Sequence, residues 1–152
     1  MAHNPEVTEL LADAYAETER LVTAYEATSD PERRAALAEE LGSGARRRAL
    51  ALERELGPVL RRVLPDGDRV AAAAARRAAA TCAAVRRLHG LAPDAPAADQ
   101  EIAAVLDAVR ATARGDEEEV FAPLRERLGH RERRELGAAV ERALTCDGAR
   151  GV

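Results

Sequence analysis

Apolar residues recur along this chain at intervals of three and four positions, which is the spacing that places them on one face of an α-helix. Asn4, Asp30 and Asp68 each stand where a helix start is expected, so we predict that they act as N-caps. Pro58 falls inside the second helical pattern and predicts a kink there, because proline lacks a backbone N–H. Five helices are predicted, over about residues 5–28, 31–64, 68–91, 99–128 and 131–144.

The composition supports an all-α fold. The chain has 36 alanines but only one isoleucine, one phenylalanine and two tyrosines, so residues that favour strands are scarce. Its length of 152 residues suits one domain. We therefore expect a single helical domain over residues 1–144, with a linker at 92–96 between its two halves and a flexible tail at 145–152.

A short internal repeat relates the second and fourth predicted helices. Residues 53–64 read ERELGPVLRRVL and residues 117–128 read EEEVFAPLRERL, so that glutamates, leucines and an arginine match at an offset of 64 positions. Two helix pairs with similar second helices predict an antiparallel up-down four-helix bundle, followed here by a short fifth C-terminal helix.

Several classes of protein are excluded by composition and charge. The net charge of −4 and the scarcity of aromatic residues argue against nucleic-acid binding. No apolar run is long enough to cross a membrane, and the N-terminus has no signal-peptide pattern. Cys82 and Cys146 do not form a disulfide framework, so we expect reduced thiols in a cytoplasmic, bacterial protein whose arginine-only basic residues are typical of a GC-rich genome.

Three segments carry a resemblance to a known family: DPERRAALAEEL at 30–41, ELGPVLRRVLPDGD at 55–68 and DEEEVFAPLRERLG at 116–129. Together they resemble the hemerythrin-like, or HHE cation-binding, domain over about residues 8–144. The resemblance implies an antiparallel four-helix bundle. It also implies a non-haem di-iron centre held by histidines from all four helices and by carboxylates of the second and fourth helices.

The residues at the corresponding ligand positions depart from the family pattern. They are Tyr15, Arg48, Leu52, Ala78, Thr112 and Asp116, of which only Asp116 keeps the chemistry of a ligand. Of the three histidines, His3 lies in the N-terminal tail, His89 near the end of the third predicted helix, and His130 in the last turn. We therefore expect a degenerate member of the family with no metal site and no cofactor.

Loss of the metal ions would leave buried carboxylates unpaired, which is costly in a protein interior. We interpret the substitutions as a repair in which Arg48 and Asp116 form an ion pair, bridged by the hydroxyl of Tyr15 or Thr112. Cys82 lies one helical turn after Ala78 on the same face. The expected ligand-binding set is Tyr15, Arg48, Leu52, Ala78, Cys82, Thr112 and Asp116.

Three functions stay open on this interpretation. The first is a protein that binds a small-molecule ligand in the bundle core, acts as a sensor, or binds a partner. The second is a metal-independent enzyme, for example of a biosynthetic pathway, with Tyr15 and Asp116 as proton-transfer candidates and Arg48 holding an anionic substrate. The third is a carboxylate-only metal site using Glu53, Asp116 and Glu117. The alanine-rich third helix and the fifth helix also leave a homodimer open.

Overall fold

The computed structural model describes residues 5–146, and every regular element in that range is helical. We number five helices, α1 to α5, and treat α2 and α4 as single helices although each contains a π-helical turn. The segments are Val7–Ala27 for α1; Pro31–Ala51, Leu52–Leu56 and Gly57–Val63 for α2; Gly67–His89 for α3; Ala98–Asp116, Glu117–Phe121 and Ala122–Arg127 for α4; and His130–Cys146 for α5. The all-α prediction is confirmed.

The helices pack in a closed order. Helix α1 contacts α2, α2 contacts α3, α3 contacts α4, and α4 contacts α1, while α5 lies against α1 and α2. Leucine, valine and isoleucine side chains fill the space between them, and the fully buried ones include Leu11, Leu37, Leu41, Leu60, Ile102, Val105 and Leu124. None of the described helices combines the length and the apolar character that crossing a bilayer requires.

The two π turns explain how α2 and α4 accommodate a proline. Each turn ends two residues before a proline, so that Pro58 and Pro123 fall in the first turn of the following α-helical segment, where no N–H is needed. Both helices then end at a leucine with extended backbone, Leu64 with ψ 142° and Leu128 with ψ 140°. The internal repeat seen in the sequence therefore has a structural counterpart. At the position where a kink was predicted, the helix has a π turn just before Pro58.

Helix α5 is joined to the start of α1 by buried polar groups. The carboxylate of Glu6 is 5 % exposed, accepts hydrogen bonds from the backbone N–H and the hydroxyl of Thr8 at 2.5 and 2.6 Å, and pairs with Nε of Arg133 at 3.4 Å. At Gly137 the two segments approach so closely that an added Cβ would lie 2.4 Å from the carbonyl oxygen of Pro5. A side chain at position 137 would therefore separate α5 from the N-terminal segment.

The helix boundaries differ from the predicted ones at three places. Glu6, rather than Asn4, caps α1, and Asn4 lies outside the described residues. The predicted cap Asp68 lies inside the first turn of α3, where Asp66 precedes the helix. Helix α5 continues to Cys146, so the rest of the predicted tail lies outside the described residues. The cap of α2 is as predicted, since the side chain of Asp30 accepts a hydrogen bond from the backbone N–H of Glu32 at 3.3 Å.

Candidate functional site

A small cavity lies where α1, α2, α3 and α4 meet. It has a volume of about 10 Å³ and is lined by Tyr15, Ala45, Arg48, Leu52, Ala78, Thr81, Val109 and Thr112. That space holds about one water molecule. The helices bring five of the seven expected ligand-binding residues to this cavity, namely Tyr15, Arg48, Leu52, Ala78 and Thr112. Cys82 and Asp116 are not among the residues that line it.

Asp116 lies beside the cavity, at the last α-helical position before the π turn of α4, and is only 2 % exposed. Its Oδ2 accepts a hydrogen bond from the hydroxyl of Tyr15 at 2.5 Å. Its Oδ1 accepts two hydrogen bonds from the guanidinium of Arg77, from Nε at 3.0 Å and from Nη2 at 2.7 Å. The remaining end of that guanidinium, Nη1, donates to Glu119 at 2.7 Å.

The predicted ion pair between Arg48 and Asp116 is therefore wrong. Arg77 of α3 pairs with Asp116 instead, and both of its hydrogen bonds are accepted by Oδ1. The Tyr15 part of the expected arrangement is present. Arg77 reaches Asp116 through the space left by Gly115, where an added Cβ would lie 2.8 Å from Cδ and Nε of Arg77. The adjacent pair Gly115-Asp116 was the sequence signal for this contact, because it offers room and a negative charge at the same turn of the helix.

Burial sets the protonation behaviour of this cluster. Burial and the neighbouring charge of Asp116 raise the pKa of Tyr15 well above its usual value, so the phenol stays protonated and acts as a donor. Burial also raises the pKa of Asp116, although the hydrogen bonds from Tyr15 and Arg77 oppose it. Burial alone would lower the pKa of Arg77, but its hydrogen bonds to Asp116 and Glu119 raise it. The cluster is thus a buried, internally compensated ion pair.

The two threonines of the cavity are also hydrogen-bonded within the protein. The hydroxyl of Thr112 lies 2.8 Å from the carbonyl oxygen of Ala108, to which it donates, and 3.3 Å from the hydroxyl of Thr81. That of Thr81 is 3.3 Å from the carbonyl oxygen of Arg77. From the sequence, Thr112 was one of two residues whose hydroxyl could bridge Arg48 and Asp116. Thr112 does not form that bridge.

Arg48 differs from the other partly buried arginines of the described region. Arg34, Arg47, Arg77 and Arg133 each donate hydrogen bonds to a carboxylate, a carbonyl oxygen or a hydroxyl. Within residues 5–146, Arg48 has no hydrogen-bond or ion-pair partner, and none of its nitrogens is completely buried. Burial lowers the pKa of Arg48, the nearby Tyr15 and Cys82 raise it, and the like charge of Arg47 lowers it further.

The remaining candidates lie apart from the cavity. Cys82 is partly buried and opens instead on a groove of about 300 Å³ that it shares with Arg46, Arg86 and His89. His89 pairs with Glu39 at 3.0 Å on the surface. His130 is exposed at the start of α5.

Two of the three carboxylates proposed for a carboxylate-only metal site are engaged by arginines. Glu117 pairs with Arg125, and Asp116 is engaged by Arg77. Across residues 5–146, no three or more histidine, cysteine, aspartate or glutamate side chains are grouped so that they could hold a metal ion.

Comparisons with protein-family models, with curated proteins and with solved structures returned no match to this chain. The proposal that follows therefore depends on the residues and on their geometry.

Proposed function

We propose that this protein is a metal-free hemerythrin-like domain, folded as an antiparallel up-down four-helix bundle with a fifth helix, that binds a small ligand in the cytoplasm through Arg48, at the edge of the central cavity of the bundle. The closed packing order of α1 to α4 supports the bundle. The convergence of Tyr15, Arg48, Leu52, Ala78 and Thr112 on one cavity supports the hemerythrin-like alignment, because that alignment selected them from four separate helices.

One observation carries the binding role: a partly buried guanidinium, Arg48, lines the central cavity without a partner among the described residues. Its nitrogens are not completely buried, so the guanidinium can donate charge-assisted hydrogen bonds to a ligand that approaches from the solvent side. The other polar groups around the cavity already have protein partners.

A metal-independent enzyme using Tyr15, Arg48 and Asp116 has less support. Asp116 receives three hydrogen bonds, and it does not line the cavity. A general acid or base must come within hydrogen-bonding distance of its substrate. The cavity has room for about one water molecule, so a substrate would have to displace the cluster to reach either group.

The proposal is tested by recording ¹H–¹⁵N NMR spectra of the purified protein with a panel of neutral, anionic and cationic fragments. We expect at least one fragment to shift amide signals of residues around Tyr15, Arg48 and Thr112. Elemental analysis of the same sample should give far less than one equivalent of iron or manganese. A panel with no effect on these signals, or stoichiometric metal, would overturn the proposal.

A further inference from the structure

Arg48 belongs to two cavities at once. Besides the central cavity, it lines a groove of about 440 Å³ between α1, α2 and the end of α5. The groove has the volume of a small-molecule site, whereas the central cavity does not. Arg48 therefore forms the boundary between a groove that a ligand can enter and the polar centre of the bundle.

The lining of this groove is apolar near its floor and charged at its rim. Ala14, Leu21, Leu41, Gly44 and Leu144 supply the apolar surface. Glu17 and Glu40 lie on the rim, where Glu17 pairs with Arg20 at 2.6 Å. Neither glutamate comes within ion-pair distance of Arg48, so the rim does not neutralise it.

The second basic residue of the groove is already engaged. Arg47 lines it beside Arg48, and its guanidinium donates to the hydroxyl of Ser43. The groove therefore holds two positive charges beside apolar side chains, and the guanidinium of Arg48 is the one without a hydrogen-bond partner among the described residues. A planar guanidinium matches a planar carboxylate, with which it forms two parallel hydrogen bonds.

We propose that the groove binds a short aliphatic monocarboxylate, whose carboxylate pairs with Arg48 and whose hydrocarbon chain lies against Leu21, Leu41 and Leu144. This inference rests on the proposed binding function and names the class of ligand. A dianion such as phosphate fits less well, because the rim glutamates repel a second negative charge and the apolar side chains of the groove offer it no hydrogen-bond donors.

The test compares butyrate with butyramide, which has nearly the same shape and no charge, at constant ionic strength. Affinity is measured by NMR titration of the wild-type protein, of Arg48→Met, and of Arg46→Met. Arg46 is an exposed arginine of the same helix and provides the matched control. We expect butyrate to bind the wild type and Arg46→Met equally, and to lose at least about tenfold in affinity with Arg48→Met. Butyramide should bind at least about tenfold more weakly than butyrate.

A second variant, Leu144→Glu, keeps Arg48 and places a carboxylate in the groove, so it should abolish butyrate binding even if Arg48→Met does not fold. Equal binding of butyrate and butyramide, or preferential binding of inorganic phosphate, would overturn the carboxylate assignment and leave the proposed function standing. If fragments shift the amide signals around Tyr15, Arg48 and Thr112 but butyrate does not bind, the carboxylate assignment is likewise overturned and the proposed function stands. Failure of both butyrate and the whole fragment panel would overturn both proposals.

Discussion

Replacement of Gly115 by alanine tests the central ion pair through its geometry. The new Cβ would lie 2.8 Å from Cδ and Nε of Arg77 and 2.9 Å from Cζ, distances that real Cβ atoms do not show. Arg77 must move, and because both of its hydrogen bonds to Oδ1 of Asp116 come from the guanidinium that the new Cβ meets, we expect the movement to break them. Gly115→Ala is therefore expected to destabilise the protein, although alanine ordinarily stabilises a helix.

The size of the effect follows from two opposing contributions. Leaving one partner of a buried ion pair without the other costs about 3–5 kcal/mol. Arg77 is 19 % exposed and can keep its bond to Glu119, so the low end of that range applies. Alanine in place of glycine returns about 1 kcal/mol of helix propensity. The net loss is about 2 kcal/mol, which corresponds to a fall in Tm of roughly 4–8 °C for a protein of this size.

Thermal unfolding followed by circular dichroism measures this loss, with Gly42→Ala as the matched control. Gly42 also lies inside a helix, but its added Cβ would meet Arg46 at 3.4 Å and Val85 at 3.6 Å, which are nearly ordinary contacts. Gly42→Ala should therefore raise the free energy of unfolding by about 0.5–1 kcal/mol. The two substitutions, chemically identical, are expected to have opposite signs.

A double-mutant cycle with Arg77→Ala identifies the cause. Once the side chain of Arg77 is truncated, nothing of it remains for the new Cβ to displace, so Gly115→Ala should become stabilising in that background. Two outcomes would contradict this explanation. Gly115→Ala could raise the Tm in the wild-type background, or it could lower the Tm equally with and without Arg77; in either case, loss of the pairing between Arg77 and Asp116 does not account for its effect.

Three further substitutions test other parts of the structure. Tyr15→Phe removes the hydroxyl that donates to Asp116 and should lower the free energy of unfolding in urea by about 1–3 kcal/mol, whereas Tyr25→Phe should leave it nearly unchanged. Burial would raise the pKa of Glu6, but its hydrogen bonds to Thr8 and its ion pair with Arg133 outweigh burial and lower it. The ionised carboxylate therefore stabilises the fold at neutral pH, and this stabilisation is lost as the pH falls through the lowered pKa. Glu6→Gln should be less stable than the wild type at pH 7 and should show a flatter decline in Tm between about pH 5 and pH 3. Gly137→Ala introduces a Cβ 2.4 Å from a backbone carbonyl oxygen and should destabilise the protein by about 1–3 kcal/mol in the same urea assay, with no change expected if α5 does not dock on the N-terminal segment.

The helices were predictable because their signals are local. The spacing of apolar residues and the cap at Asp30 are read from a few neighbouring positions, and they place α2 to within a residue of its start and end. The π turns were not predicted, because a hydrogen bond that spans five residues leaves no mark in the hydrophobic period. Pro58 and Pro123 were the available signals. Pro58 was interpreted as the site of a kink rather than as a residue that follows a wide turn, and Pro123 was noted only as part of the segment at 116–129.

Five of the seven expected residues line one cavity, but the pairing of the charged groups was not predicted. Aligning four helices identifies which Cα atoms face the centre, and Tyr15, Arg48 and Thr112 do line the same cavity. The pairing depends on the reach of long side chains, which the alignment does not contain. Arg77 was not among the expected site residues, yet its guanidinium extends past Gly115 to Asp116.

The polar groups at the centre therefore divide into two kinds with opposite consequences. Asp116, Tyr15 and Arg77 satisfy one another, so changing any of them costs stability, and a ligand gains little from contacting them. Arg48 has no described partner, so its replacement by methionine removes an uncompensated charge and should leave the Tm unchanged or raise it. A charged side chain that contributes nothing to stability remains available to bind a ligand. If Arg48→Met instead destabilised the protein as much as Tyr15→Phe does, Arg48 would belong to the structural cluster, and the argument that it awaits a ligand would fail.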